Sequence, residues 1–263
     1  MKRETPALPR AFFDAPIAHR GLHDRAAGVI ENSRAAVAAA AEAGYGIEID
    51  LQLSADGEAM VFHDDRLDRL TAATGSVRAR PARELARLEL TGGAEGIPTL
   101  ADILDLVRGR VPLLIEAKDQ SGALGPVDGR LERRAARLLA AYEGPVALMS
   151  FNPDSVAAMA EAAPSVARGR VTMDFRAAEW AGVAPDRRAA LNGLGDLDAL
   201  ACGFISHHHT TLEGEEAQRV MATGRPVLCW TVRSEAEEAS ARRHAANVTF
   251  EGYRPAIART EGA

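Results

Sequence analysis

Gly46-Ile47-Glu48-Ile49-Asp50-Leu51-Gln52-Leu53-Ser54 alternates apolar and polar residues without a break. A period of two predicts a β-strand with Glu48 and Asp50 on one face and Ile47, Ile49, Leu51 and Leu53 on the other. A face that apolar belongs to a buried element, so the acidic face is expected to be buried too. Ala55-Asp56-Gly57 is a turn signal, and the run from Ala59 to Phe62 reads as a returning strand. With the turn centred near Asp56-Gly57, the pairing sets His63 opposite Asp50. Two carboxylates and an imidazole then converge, and buried carboxylates require a cation. The stretch is expected to hold a metal ion.

Outward from this stretch the chain alternates. Before it, Ala15-Pro16-Ile17-Ala18 is a short apolar run ending in His19-Arg20-Gly21, and Asn32 or Ser33 caps an Ala-rich helix that Gly44 stops. After it, residues 66–98 are irregular and charged and read as an insertion over a rim. Thr99 then caps a helix to about 108. Strand and helix follow in turn: 112–118 with 128–142, 145–151 with 153–162, 168–173 with an irregular helical region to about 191, 201–206 with 213–223, and 226–232 with 235–244. A last strand covers 247–251. Eight parallel-strand candidates separated by helices predict an α/β fold, a closed (β/α)8 TIM barrel forming a single domain over 1–263. A doubly wound open sheet is the alternative, but no Gly-rich fingerprint follows the first strand.

The 263 residues can bury a barrel-sized core. A net charge of −6 with no basic run excludes nucleic acid as a natural partner. The start of the chain has no apolar signal core, and no stretch could span a membrane, so a cytoplasmic protein without stable membrane association is expected. Cys202 and Cys229 lie in apolar runs without ligand spacing and read as buried free thiols. Lys2 and Lys118 are the only lysines in an arginine-rich chain. Lys118 ends an apolar strand, where a compact ammonium rather than a planar fork is wanted.

In a barrel the chemistry sits at the C-terminal strand ends. That rule collects His19, Arg20, Glu48, Asp50, Glu116, Lys118, Ser150, Phe151 and Trp230. Three carboxylates suit one hard divalent ion, Mg²⁺ or Ca²⁺. Arg20 and Lys118 suit a phosphate, the first as a fork and the second as a point charge. His19 and His63 supply a base for the nucleophile and an acid for the leaving alkoxide. Such a site hydrolyses a phosphodiester; the same chemistry also admits a metal-dependent lyase or aldolase. Of His207-His208-His209, alternate residues share a face, so His207 joins Phe151 and Trp230 as a candidate for the substrate pocket. Asp64 either orients His63 or caps the following turn, and Glu31 and Asn32 either cap the first helix or reach the phosphate site.

Ala18-His19-Arg20-Gly21, Glu31-Asn32-Ser33, Glu48-Ile49-Asp50, Asp56-Gly57, His63-Asp64, Leu67-Asp68-Arg69 and Ile115-Glu116-Ala117-Lys118 together resemble the signature of the glycerophosphodiester phosphodiesterase family, bacterial cytoplasmic type. Ser150-Phe151 and Trp230-Thr231-Val232 extend the resemblance over nearly the whole chain. It implies a barrel of the PLC-like phosphodiesterase type with a small insertion after the second strand region. It implies hydrolysis of a small glycerophosphodiester to an alcohol and sn-glycerol 3-phosphate with a divalent metal, a substrate hydroxyl next to the phosphate acting as internal nucleophile. It implies His19 and His63 as the acid–base pair, Glu48, Asp50 and Glu116 as metal ligands, Arg20 as phosphate ligand, and Lys118 as an aid to the phosphate or the metal ligands. Two departures stand out: Ser33 replaces the family's usual Thr, and Thr249-Phe250-Glu251-Gly252 stands where the last strand usually ends in Thr-Asp-x-Pro. The rival readings are a lysophospholipase D, with Phe12, Phe13 and Trp180 near the rim, and a catalytically silent phosphodiester-binding barrel. Head group, choice of metal and oligomeric state are not fixed by the sequence.

Overall fold

The computed structural model describes residues 4–176 and 178–257; Lys2 lies outside them. The chain opens with β1 (Ile17–Ala18) and α1 (Arg34–Ala43). The Ser33 hydroxyl accepts from the Ala36 N–H to start α1, and Gly44, at φ 80°, ends it in the left-handed conformation that glycine alone adopts freely. Next come β2 (Gly46–Leu53), β3 (Ala59–Val61), the short α2 (Ala82–Leu85) and α3 (Leu100–Val107), which begins with a reciprocal Thr99–Asp102 cap. Then β4 (Leu113–Ala117), α4 (Arg130–Leu139), β5 (Val146–Ser150), α5 (Pro153–Ala162), β6 (Ala167–Thr172) and α6 (Pro185–Gly193) alternate. The chain continues through β7 (Phe204–His208), α7 (Glu215–Ala222), β8 (Val227–Val232), α8 (Glu235–Ala241) and β9 (Asn247–Phe250).

Around the barrel the order is β1, β2, β4, β5, β6, β7, β8, β9 and back to β1, every pairing parallel. Eight parallel strands with intervening helices make a closed (β/α)8 barrel. β1 is short and pairs only with Gly46 and Ile47 of β2; higher up, Leu51–Leu53 pair antiparallel with β3 on the same side. The hairpin register differs by one residue from expectation. Gly57 N–H donates to the Ser54 carbonyl and Ser54 N–H to the Glu58 carbonyl, which closes the turn one residue earlier. Phe62 therefore stands opposite Asp50, its N–H on the Asp50 carbonyl at 3.0 Å, and His63 steps past the pairing toward the barrel mouth.

Strand alternation separates two cores. Ile47, Ile49, Leu51 and Leu53 of β2 face the helices together with Leu113 and Ile115 of β4. Inside the barrel, Ile17, Leu114, Ala147, Ala167, Phe204 and Leu228 form the lower packing, closed from below by Leu8 and Phe12. Gly169 is required there: a Cβ would meet the Phe204 ring at 2.6 Å. Asn247 Nδ2 donates to the Phe12 and Ala15 carbonyls, both at 2.7 Å, which ties the N-terminal segment across the barrel floor. Phe12 is thus fully buried at the end away from the mouth, not on a lipid-facing rim, and Phe13 sits on the same segment. Residues 66–98 run between β3 and α3 and include only the short α2 and single-turn helices. This segment has its own apolar cluster of Leu67, Leu70, Val77, Leu85, Leu90 and Ile97, seated on Met60 and Phe62.

The seventh strand begins later than its apolar run suggests. Ala201 adopts φ 50° in a turn, and pairing starts at Phe204. Phe204 faces the barrel interior, so Ser206 does as well, and His207 faces the helices. Cys202 and Cys229 are buried free thiols, as expected. Among the described residues, no helix is long and apolar enough to cross a membrane.

Candidate active site

At the C-terminal mouth a cavity of about 150 Å³ is bordered by His19, Arg20, Glu48, Asp50, His63, Glu116, Lys118, Phe151 and Trp230. Of the strand-end residues expected from the sequence, Ser150 and His207 do not line it; Ser150 is buried with its hydroxyl on the Ala117 carbonyl at 2.7 Å. His207 is instead held between Thr172 Oγ1, 2.7 Å from Nδ1, and Thr211 Oγ1, 3.0 Å from Nε2, on the helix side of the sheet. With Phe204 and Ser206 on the interior face, His207 takes the other face and stands outside the substrate pocket. Burial there pushes the imidazole down to about 4.

The acidic face of β2 meets Glu116 of β4. Glu48, Asp50 and Glu116 are 2 %, 1 % and 6 % exposed, and each offers a carboxylate oxygen within 4.8 Å of the others. At that separation, each like-charge pair costs on the order of 3 kcal/mol at an effective dielectric of about 20. Lys118 Nζ offsets part of this, 2.7 Å from Glu116 and 3.3 Å from Asp50. Asp50 also has Arg20 Nε at 3.4 Å and the Asn32 amide at 2.8 Å. Burial opposes ionisation of Asp50, but the surrounding charges of Lys118, His63 and Arg20 hold its carboxyl well below the usual range. Burial likewise opposes the Lys118 ammonium, yet Glu116 and Asp50 raise its pKa.

Glu48 is less well served. It accepts the Arg20 backbone N–H at 3.0 Å, and among the described residues no side-chain cation comes closer than His19 Nε2 at 4.0 Å. Burial and repulsion from Asp50 and Glu116 push its carboxyl well above the usual range. A cluster in which one buried carboxyl is driven to keep its proton is short of one positive charge. Three hard oxygen donors match a hard divalent cation, so the residues fit a metal of the Mg²⁺ or Ca²⁺ kind.

The two histidines reach the cavity from different elements. His19 follows β1, and His63 follows β3 at the root of the segment that leads to α3. Each ring is tied at Nδ1 to a carboxylate, His19 to Glu251 at 2.6 Å and His63 to Asp64 at 2.7 Å. Carboxylates only accept, so both Nδ1 atoms carry the proton and both Nε2 atoms are left for the cavity. Burial is the main influence on His19 and lowers its pKa against the pull of Glu251. Asp64 is in turn forked by Arg69, at 2.7 and 2.9 Å. Arg69 also spans Glu31 with two 2.8 Å bonds, and Glu31 receives Arg20 Nη1 at 2.6 Å. Burial alone would raise the Glu31 carboxyl, but hydrogen bonds from Arg69 and the charge of Arg20 bring it down to about 2. One ionic chain, Arg20–Glu31–Arg69–Asp64–His63, therefore joins the phosphate-suited arginine to the second histidine.

Asp64 orients His63, which resolves that alternative. Asn32 both precedes α1 and grips Asp50, donating from Nδ2 and accepting the Asp50 N–H at 3.2 Å. Its φ of 59° and that of Arg20, 55°, are left-handed conformations held at the site. Sequence reasoning gave Glu251, Arg233, Ser206 and Thr249 no role. The last three line the cavity, and Glu251 stands behind His19. Glu251 carried a usable signal, being the carboxylate at the end of the last strand; Ser206 and Thr249 carried none beyond parity.

The family model described as the glycerophosphoryl diester phosphodiesterase family matches residues 19–249. YhdW of Bacillus subtilis is 27 % identical over 228 residues, covering 83 % of this chain and 86 % of that one. A glycerophosphodiester phosphodiesterase of Caldanaerobacter subterraneus subsp. tengcongensis is 32 % identical over 162 residues, 58 % of this chain and 64 % of its own. The solved structure of an Oleispira antarctica phosphodiesterase, in complex with the product sn-glycerol-3-phosphate, superposes with a TM-score of 0.73 at 24 % identity, covering 92 % of this chain and 94 % of that one. With the barrel, the carboxylate cluster and the two histidines on one mouth, the chain belongs to the glycerophosphoryl diester phosphodiesterase family and is an enzyme of that family.

Proposed function

We propose that this enzyme hydrolyses small glycerophosphodiesters to an alcohol and sn-glycerol 3-phosphate by His19/His63 acid–base catalysis at a divalent metal site. One observation carries the reading: two carboxylate-tied histidines, three clustered carboxylates, Arg20 and Lys118 all border a single cavity. Glu48, Asp50 and Glu116 would hold the metal, which when bound supplies positive charge to polarise the phosphoryl oxygens. Arg20 and Lys118 bind and orient the phosphate, and their fixed charges oppose the negative charge that develops on it. One histidine takes a proton at Nε2 from the attacking hydroxyl, which lies on the substrate next to the phosphate. The other gives a proton from Nε2 to the leaving alkoxide, so this first displacement breaks the P–O bond to the alcohol and leaves a cyclic phosphate on the glycerol. The second histidine, now neutral, then takes a proton from a water that attacks the phosphorus. The first, now protonated, gives its proton to the departing ring oxygen, opening the cycle to sn-glycerol 3-phosphate. The second histidine therefore has to enter as imidazolium, and its Nδ1 carboxylate stabilises that form.

Met149, Phe151, Val171 and Trp230 make the wall away from the charges. They would seat the less polar parts of the substrate. Trp180 packs behind Phe151, 5.6 Å between ring centres, and lends that wall an apolar extension. This extension is the one observation that favours a lysophospholipid as a second substrate class. A cytoplasmic location rests on composition alone.

The test is release of glycerol 3-phosphate from glycerophosphocholine and glycerophosphoethanolamine after chelation, with Mg²⁺ or Ca²⁺ then returned. Metal-restored release supports the proposal and identifies the ion. Folded protein that releases nothing from either, but cleaves lysophosphatidylcholine, favours the lysophospholipase D reading. Binding of the diesters without turnover of any would favour a silent barrel.

A further inference from the structure

The last strand departs from the family pattern at the place where it meets the first histidine. β1 and β9 are paired with Ala18 beside Phe250, so His19 and Glu251 are neighbours one step further up. The backbone fixes both: His19 N–H donates to the Phe250 carbonyl at 2.9 Å, and Glu251 N–H to the Val232 carbonyl at 3.0 Å. Glu251 Oε2 then takes His19 Nδ1, while Oε1 takes Arg233 Nε at 2.8 Å and Nη2 at 2.6 Å. His23 Nε2 stands 3.7 Å from Oε2. Both oxygens are thus engaged, and the carboxylate cannot rotate without breaking three bonds. Burial would raise the Glu251 carboxyl, but His19, His23 and Arg233 hold it well below the ordinary carboxylate range.

We infer that Glu251, clamped by Arg233, is the positioning residue of His19: it fixes the Nδ1–H tautomer and aims Nε2 at the reacting proton. The inference rests on the reading of His19 as an acid–base group. Asp64 and Arg69 do the same for His63 from the other side of the mouth. The two histidines are therefore supported alike, each by a carboxylate that an arginine grips. A carboxamide in place of Glu251 keeps the shape but can offer either an acceptor or a donor to Nδ1, so the tautomer is released.

The experiment compares Glu251→Gln, Glu251→Asp, His19→Ala and the double variant His19→Ala/Glu251→Gln on glycerophosphocholine with metal restored, each checked for an unchanged melting temperature. In parallel, the ¹⁵N-edited imidazole spectrum of His19 is recorded in the wild type and in Glu251→Gln. Glu251→Gln is expected to lower kcat by between roughly tenfold and a thousandfold with KM within about twofold, less than the loss of up to about ten-thousandfold when the acid–base group itself is removed. Glu251→Asp should recover part of that loss. In the His19→Ala background the Gln change should cost nothing further, and the spectrum should lose its pure Nδ1–H signature. A Glu251→Gln enzyme with wild-type kcat and an unchanged tautomer overturns the inference, as does an equal loss with and without His19. If His19→Ala is itself fully active, the acid–base reading fails, and the spectrum alone then decides whether Glu251 sets the tautomer.

Discussion

From β9 through β1, β2 and β4, the mouth of the barrel is built of Glu251, His19, Arg20, Glu48, Asp50, Glu116 and Lys118; from β5 as far as Trp230 of β8 it is built of Met149, Phe151, Val171, Ser206 and Trp230. Arg233, just past β8, rejoins the charged side through Glu251. The two arcs use the same backbone and the same alternation. They differ in what happens when a side chain is deprived of water. On the charged arc each carboxylate needs a cation or donor, so the side chains are locked in ionic chains that run across four strands. On the apolar arc, rings pack edge to face, Phe151 on Trp230 at 5.5 Å, and the Trp230 indole N–H donates to the Ser206 carbonyl at 3.0 Å. The first arc is arranged for making and cancelling charge, the second for shape. Lys118 joins them, its Nζ 5.9 Å from the centre of the Phe151 ring.

Breaking the charged arc should have the largest effect. His19→Ala and His63→Ala are each expected to lower kcat by roughly a hundredfold to ten-thousandfold with the melting temperature little changed. Wild-type turnover by either variant would take that histidine out of the mechanism. Asp50→Asn is expected to weaken Mg²⁺ or Ca²⁺ binding, read by calorimetry, by at least about tenfold, since one hard donor loses its charge. Lys118→Arg should lower kcat/KM by about tenfold, because the larger planar guanidinium cannot take the place of a compact ammonium 2.7 Å from Glu116 and 3.3 Å from Asp50 without displacing them. On the other arc, Phe151→Leu should raise KM severalfold and leave kcat nearly unchanged; a kcat loss as large as that of a histidine variant would erase the distinction between the arcs.

The smallest effect on activity belongs to the far face of the sheet. His207→Gln is expected to leave kcat within about twofold, yet to change the pH dependence of stability. The folded ring is pushed down to about 4 from 6.5, mainly by burial. Above pH 6.5 neither the folded nor the unfolded form carries the proton. Between 6.5 and about 4 the unfolded chain takes a proton that the folded form refuses, so stability falls as pH falls and levels off below about 4. Chemical denaturation of the variant across that window should show a shallower decline.

How far the sequence could be read follows the same division. Glu48 and Asp50 were legible because alternation in β2 is unbroken and its apolar face is unambiguous. Glu116 and Lys118 were legible as residues two apart at a strand end. His207 was misplaced because alternation says which residues share a face but not which face turns inward, and in β7 the interior set is Phe204 and Ser206. The same blindness covers Arg168 and Arg170 of β6, which point away from the barrel interior and are nevertheless buried. Arg170 is held by Asp196 at 2.6 Å, a partner 26 residues away that no local pattern announces. Glu251 was legible only as a departure in the last strand, without a role, for a related reason: its meaning lies in a partner 232 residues away, across the seam where the barrel closes.

The segment between β3 and α3 has a core of its own, and His63 sits at its root while His19 stands on the barrel wall. The two histidines proposed to handle the protons are therefore attached to two different apolar clusters, that of the segment between β3 and α3 and that of the barrel. Sub-global opening of the smaller cluster would carry His63, Asp64 and Arg69 away and leave the sheet intact. In mild denaturant, turnover should vanish before the far-ultraviolet signal of the barrel changes. Amides of residues 67–97 should exchange with solvent faster than those of β2 and β4. On this view catalytic competence reports the docking of a satellite, and the lifetime of the docked state sets an upper bound on how long the enzyme stays competent between openings.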